Sequence, residues 1–356
     1  MLRCSQDAPP FEHGAHLGPD GQAQAYDGRF PTLAEELKDA GYRTGAFVAN
    51  IGFLAPRWGL SRGFDRYEVI ESRASEITEH ALDWLNAPSD APQFLFLNYL
   101  DAHRPYHTEV PRPDVVGYAV PDTMGPLDAL KAEVLPGKRD AQPSLVSTTE
   151  DQYDTALANL DAGLGPLLDR LAAESNTVVV ITSDHGEFLG EHRWAEHPRD
   201  VYGPGIAVPL FIREPKVGGG SVDDVTFSHD LPALIQRAAG LPQPFPPGRW
   251  PLAELYYDHA HYLTRPDLAA RMTRVRRAWI EWPDKLIVSE RSDKTDVVEL
   301  YDLANDPEER HNRALLEPRR VTELRRKLPP LVHVQPASVE LSPEERAQLK
   351  ALGYLE

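Results

Sequence analysis

Thr177 to Thr182 (TVVVIT) is an uninterrupted run dominated by β-branched residues. It follows a pattern in which Tyr153, Leu157, Leu160, Leu164, Leu167, Leu168 and Leu171 recur mostly at steps of three and four. The run reads as a buried central strand and the pattern as one face of a long helix. Helices that carry the chain from one buried strand to the next belong to parallel sheets, whose crossovers need them. The alternation occurs twice more upstream. Thr32 to Ala40 (TLAEELKDA) predicts a helix with Thr32 as N-cap, Glu35 completing a capping box and Gly41 at its end, and Thr44 to Ala49 (TGAFVA) follows as a strand. Glu76 to Asn86 then predicts a helix, and Phe94 to Tyr99 (FLFLNY) a strand covered on both faces. Ala207 to Arg213 gives a further strand, and Asp230 to Ala239 a helix ending at Gly240.

The fold class expected is therefore α/β: a mostly parallel central sheet flanked by helices over residues 1–240, and a smaller subdomain over 241–356. In that subdomain Val275–Trp282, Lys285–Glu290 and Val297–Tyr301 read as an antiparallel meander, and Ser342–Leu352 as a terminal helix. Between Arg104 and Thr149 the chain is rich in proline and weak in periodicity, which predicts a long functional or mobile loop.

Composition removes several classes of function. With 37 Lys+Arg against 55 Asp+Glu the net charge is −18, and no basic run is present, so no nucleic-acid partner is expected. No apolar stretch is long enough to span a bilayer. One cysteine, Cys4, excludes an internal disulfide framework and a zinc site built from several cysteines. Eight of the basic residues are Lys and 29 are Arg, a bias that a high-salt medium or a GC-rich genome would each favour. No apolar segment follows Met1-Leu2-Arg3, so a cytoplasmic location is expected of the residues as given.

Polar residues gather where the strands end. Asn50 follows the first strand, Asp101 and His103 the second, and Ser183, Asp184, His185 and Glu187 the third. In an open parallel sheet that rim is where ligands bind. Asp184-His185-Gly186 joins a carboxylate and an imidazole at a sharp turn, a donor pair suited to Ca²⁺, Mg²⁺, Mn²⁺ or Zn²⁺; the alternative is that Asp184 caps a helix and His185 packs locally. His192 and His197 follow closely, and histidine can donate a proton near neutral pH. Arg104 beside His103 can hold an anion through two hydrogen bonds or stand as a solvated charge, and Tyr106 can bind substrate or simply pack.

Tyr153-Asp154…Asp161…Gly165-Pro166-Leu167-Leu168, then Thr182-Ser183-Asp184-His185-Gly186-Glu187…Gly190-Glu191-His192, resembles the sulfatase family of the alkaline phosphatase superfamily. Asp101-Ala102-His103-Arg104-Pro105-Tyr106, Val208-Pro209-Leu210, Glu299-Leu300-Tyr301-Asp302-Leu303 and Ala351-Leu352-Gly353-Tyr354 carry the same resemblance. It implies a hydrolase of small-molecule or glycan sulfate esters that uses a divalent metal, foremost Ca, with Mg, Mn or Zn as alternatives. On this resemblance Asp184 and His185 are metal ligands, His103 contacts the sulfate, and His197 assists the leaving oxygen. Asn50, Arg104 and His192 are then the substrate-binding candidates.

The resemblance also implies a formylglycine nucleophile made from a Cys-x-Pro-Ser-Arg or Ser-x-Pro-Ser-Arg motif, preceded by an Asp-Asp pair. Pro10-Phe11-Glu12-His13-Gly14 is similar to the segment that follows this motif, and Cys4 lacks its context, so the formylglycine is not identifiable in this chain and the nucleophile is expected upstream of Met1. No turnover is then expected of the chain as written. Two other functions fit the same residues: a phosphodiesterase or phosphonate monoester hydrolase, and a non-catalytic binder of anionic groups.

Overall fold

A computed structural model describes residues 31–197, 199–215, 217–222, 225–242, 251–256, 274–291 and 296–330, with isolated positions among 16–28, 268–271 and 342–347. Cys4, the Pro10–Gly14 segment and most of the expected terminal helix lie outside the described residues.

A short pair, β1 (His16–Leu17) and β2 (Ala23–Gln24), precedes α1 (Leu33–Asp39) and β3 (Arg43–Val48). Thr32 caps α1 as expected: its Oγ accepts from the Glu35 N–H at 3.1 Å, while its own N–H donates to the Glu35 carboxylate at 2.8 Å. Then come α2 (Ile51–Leu54), β4 (Arg66–Val69), α3 (Ala74–Asn86) and β5 (Gln93–Asn98). β3 lies between β4 and β5 and is parallel to both. The apolar stripe of α3 buries Ile77, Ala81 and Trp84 against Phe47 of β3. Gly45 admits this packing, since a Cβ there would lie 2.7 Å from the Trp84 ring. Burial of each such large side chain is worth roughly 1.5–3 kcal/mol.

The proline-rich segment is not one loop. It contains α4 (Pro113–Val116), α5 (Gly125–Val134) and the start of α6 (Pro143–Ala172). Pro113, Pro126 and Pro143 stand at the first or second position of these helices, where no intrahelical N–H is needed. Leu127, Leu130 and Val134 are fully buried beside Ala156 of α6.

The third strand also departs from expectation. β6 (Val179–Thr182) does not join β5; it pairs antiparallel with β7 (Leu210–Arg213) as a separate two-stranded sheet, behind the short α7 (Gly203–Ile206). Ile181 and Phe211 are exposed, so the β-branched run is not a buried central strand among the described residues. Its composition records strand propensity, and burial depends on neighbours that sequence pattern alone does not supply.

After α8 (Leu231–Ala238), the strands β8 (Leu252–Tyr256), β9 (Arg274–Glu281), β10 (Asp284–Arg291) and β11 (Val297–Asp302) form an antiparallel sheet in the order β11-β10-β9-β8, backed by α9 (Pro318–Arg325). The expected meander is present, and β8 adds an edge strand to it. Asp200 joins the core loop to this sheet: its carboxylate accepts from Arg276 Nε at 2.8 Å, Arg274 at 2.9 Å and the Trp194 indole at 3.1 Å. Among the described residues no helix is long and apolar enough to cross a membrane.

Candidate functional site

The ends of β5 and β6 deliver histidines to one place although the two strands do not share a sheet. Past β5 the chain turns at Leu100, whose carbonyl accepts from the His103 N–H at 2.9 Å. Past β6, Ser183 Oγ donates to the His185 carbonyl at 2.6 Å and fixes the turn. Gly186 passes so close to the next loop that a Cβ would sit 2.0 Å from the Pro204 carbonyl oxygen. His197 comes from the loop closed by the bridge between Leu189 and Ala195, which packs on α5 and α6.

The His197 ring stacks on His185 with centroids 4.0 Å apart and meets His103 edge-on at 4.9 Å. His185 Nδ1 lies 2.8 Å from the Gly186 carbonyl and His103 Nδ1 2.6 Å from the Arg104 carbonyl. Those contacts assign the proton to Nδ1 in both rings, which makes Nε2 the basic nitrogen. His197 Nδ1 is 3.0 Å from Glu187 Oε2, with both side chains buried. Burial disfavours charge on each partner. The Glu187 carboxyl is pushed up to about 8, with the neighbouring Glu196 adding to burial, and the His197 imidazole is pushed down to about 3, with His185 adding to burial. The pair is therefore neutral at pH 7: Glu187 keeps its proton and donates it to Nδ1, so that Nε2 of His197 carries a hydrogen. His103 is pushed down to about 4 by burial and then by His197.

Asp184 is 80% exposed, and its Oδ1 stands 3.7 Å from His185 Nε2. The two donors are close enough to share one cation, and the His185 tautomer leaves the right nitrogen for it. Among the described residues, however, no three His, Cys, Asp or Glu side chains gather as a metal set. Asp184 and His185 thus fit part of a cation site, and the described residues do not complete it.

Asn50 and His192 pack against α2 and Tyr202 respectively. Asn50 is buried and caps α2, its Oδ1 accepting from the Phe53 N–H at 3.0 Å. His192 stacks on Tyr202 at 3.8 Å, on the side that faces the C-terminal sheet. Arg104 does reach the cluster, with Nε 2.7 Å from Glu196. Glu196 is almost fully buried and also meets Lys131 at 2.8 Å and Arg199 at 2.5 Å. The roles of Glu187, Glu196, Lys131 and Arg199 were not read from the sequence. The spacing Glu196-His197-x-Arg199 was the available signal, while Lys131 belongs to a helix that the prolines concealed.

The sulfatase family matches residues 13–241. The chain is 27% identical to the uncharacterized sulfatase YidJ of Escherichia coli (strain K12), over 83% of this chain and 69% of that protein. It is 30% identical to the N-acetylglucosamine-6-O-sulfatase of Bacteroides thetaiotaomicron, over 46% of this chain and 31% of that protein. Among solved structures, the phosphonate monoester hydrolase of Agrobacterium radiobacter superposes with a TM-score of 0.61 at 19% identity, covering 85% of this chain and 81% of that one. A protein solved in complex with its substrate D-glucosamine-2-N,6-O-disulfate superposes with a TM-score of 0.60 at 16% identity, covering 95% of this chain and 85% of that one. At these identities the structural likeness shows the fold alone.

Proposed function

Because this chain belongs to the sulfatase family, we propose that His103, His185 and His197, with Asp184, form the part of a hydrolase site that receives a sulfate ester. The observation that carries this reading is the meeting of the three imidazoles, drawn from separate parts of the chain, beside one exposed carboxylate. The curated relative that acts on N-acetylglucosamine-6-O-sulfate supports a sulfated sugar as the substrate class.

His197 is the proton donor of this arrangement. Its Nε2 hydrogen is set by the Glu187 contact at Nδ1, so the ring can hydrogen-bond the bridging oxygen of the ester and protonate it as the bond to sulfur breaks, the Glu187 carboxyl proton passing to Nδ1 so that the ring stays neutral and Glu187 is left as the carboxylate. His103 presses edge-on against that ring and limits its rotation, while burial keeps both imidazoles neutral and keeps bulk water from competing for the transferred proton. Asp184 and His185 would hold a divalent cation, Ca²⁺ foremost and Mg²⁺, Mn²⁺ or Zn²⁺ as alternatives, which when bound supplies positive charge to the sulfate oxygens. The formylglycine nucleophile is assigned to none of the described residues.

A second reading, a phosphonate or phosphate ester hydrolase, draws support from the fold shared with the phosphonate monoester hydrolase. Calorimetric titration with D-glucosamine-6-O-sulfate and with an aryl phosphonate separates them. The sulfate ester is expected to bind more tightly, His197→Ala to weaken it by about tenfold or more, the effect of losing a hydrogen bond to a charged group, and His103→Ala to weaken it less, through the loosened His197 ring. Tighter binding of the phosphonate would favour the second reading, and an unchanged affinity in both variants would remove the first.

A further inference from the structure

We propose that Arg104 and Lys131 form a subsite for a second anionic group on the ester, a sulfate or a carboxylate, beside the three-histidine cluster. The inference rests on the sulfate-ester reading of that cluster and goes on to name the substrate class: sugar sulfates that carry an additional negative charge.

Arg104 directly follows His103 in the chain, and its own carbonyl fixes the His103 ring. Its side chain is 22% exposed and its Nε stands 2.7 Å from Glu196 Oε1, yet that oxygen accepts no hydrogen bond among the described residues. The contact is close but unaligned, and the Arg104 side chain donates no hydrogen bond among the described residues. Its Nε is paired with Glu196, while the Nη ends of its planar fork, the group best shaped for a sulfate or carboxylate, make no hydrogen bond among the described residues. Lys131 projects from α5 to Glu196 Oε2 at 2.8 Å and is also 22% exposed.

Charge makes the same point. Holding the loop would require one cation on Glu196, and Arg199 already supplies it at 2.5 Å while its Nε also donates to the Ala195 carbonyl at 3.1 Å. Arg104 and Lys131 add two further positive charges beside the same nearly buried carboxylate. Like charges that crowd one carboxylate repel one another unless an anion joins them, and in a partly buried setting that repulsion is poorly screened. Glu187, the buried carboxyl beside Glu196, is engaged with His197. The Tyr106 hydroxyl, buried and without a hydrogen-bond partner among the described residues, lies within electrostatic reach of Arg104, Glu187 and Glu196 and offers one more donor.

The test uses the full chain with Ca²⁺ and three ligands: D-glucosamine-6-O-sulfate, D-glucosamine-2-N,6-O-disulfate, and an O-sulfated glucuronic acid. The second and third separate sulfate from carboxylate as the extra group. At least one of them is expected to bind about tenfold more tightly than the monosulfate, about 1.4 kcal/mol. In Arg104→Met and in Lys131→Met that ratio is expected to fall to near one. Lys131→Met leaves Glu196 two arginine partners, and a ratio of affinities is insensitive to a general loss of folded protein. Equal binding of all three ligands by the unmodified chain overturns the subsite and leaves the ester reading intact. Binding of none overturns both. Variants that bind every ligand more weakly at an unchanged ratio also overturn the subsite.

Discussion

His103 gives the clearest link between burial and behaviour. Folded, it takes a proton only near pH 4; unfolded, it does so near pH 6.5. Between those values the unfolded chain binds the extra proton, so His103's contribution to stability is complete above pH 6.5 and is lost as pH falls towards 4. His197 adds a loss of the same sign that extends to about 3. Denaturant unfolding of His103→Gln at pH 7 and pH 5 should show a shallower fall than the unmodified chain, by up to about 1.4 kcal/mol per pH unit. An identical fall would mean that the ring is not buried as described. Gly186 makes a second residue-scale prediction. A Cβ there meets the Pro204 carbonyl oxygen at 2.0 Å, backbone against backbone, so Gly186→Ala should destabilise the chain by about 1–3 kcal/mol, read as a shifted unfolding midpoint.

At the scale of elements, local chemistry was legible and distant partners were not. The Thr32–Glu35 capping box, Gly41 and the apolar stripes of α1, α3 and α6 could be read because each signal lies within a few residues. Pro113, Pro126 and Pro143 misled because a proline that opens a helix looks like one that breaks a loop; the stripe Leu127, Leu130, Val134 was the counter-signal. TVVVIT was correctly a strand, but its place in a sheet depends on which segment lies beside it. The histidine cluster was legible from polar residues after strand-like runs. The tie of Lys131 to Glu196 was not, since nothing local links α5 to that loop. The Asp200 junction was equally hidden. There the loop that carries His197 is tied to β9 through Arg274 and Arg276, which are buried with their carboxylate. Asp200→Ala would remove the carboxylate that Arg274 and Arg276 share and leave Arg276 with Glu299 alone, so it should cost about 3–5 kcal/mol in unfolding free energy, far more than loss of a surface pair. A cost below about 1 kcal/mol would show that the junction does not hold the loop.

Over the whole molecule, a net charge of −18 means that acidic self-repulsion opposes compaction. Melting temperature should rise between about 0.01 and 1 M KCl, the range over which the screening length contracts from about 30 to 3 Å. A flat response would show that the described ion pairs already balance the excess. The same architecture brings histidines from the ends of two separate sheets into one cluster, and the account stands on that convergence. The most direct test follows the ring nitrogens of ¹⁵N-histidine-labelled chain by NMR during titration with D-glucosamine-6-O-sulfate in the presence of Ca²⁺. The signals of His103, His185 and His197 should move together with one midpoint while His192, stacked on Tyr202, stays still. Movement of His192 with the three others unchanged would contradict the account.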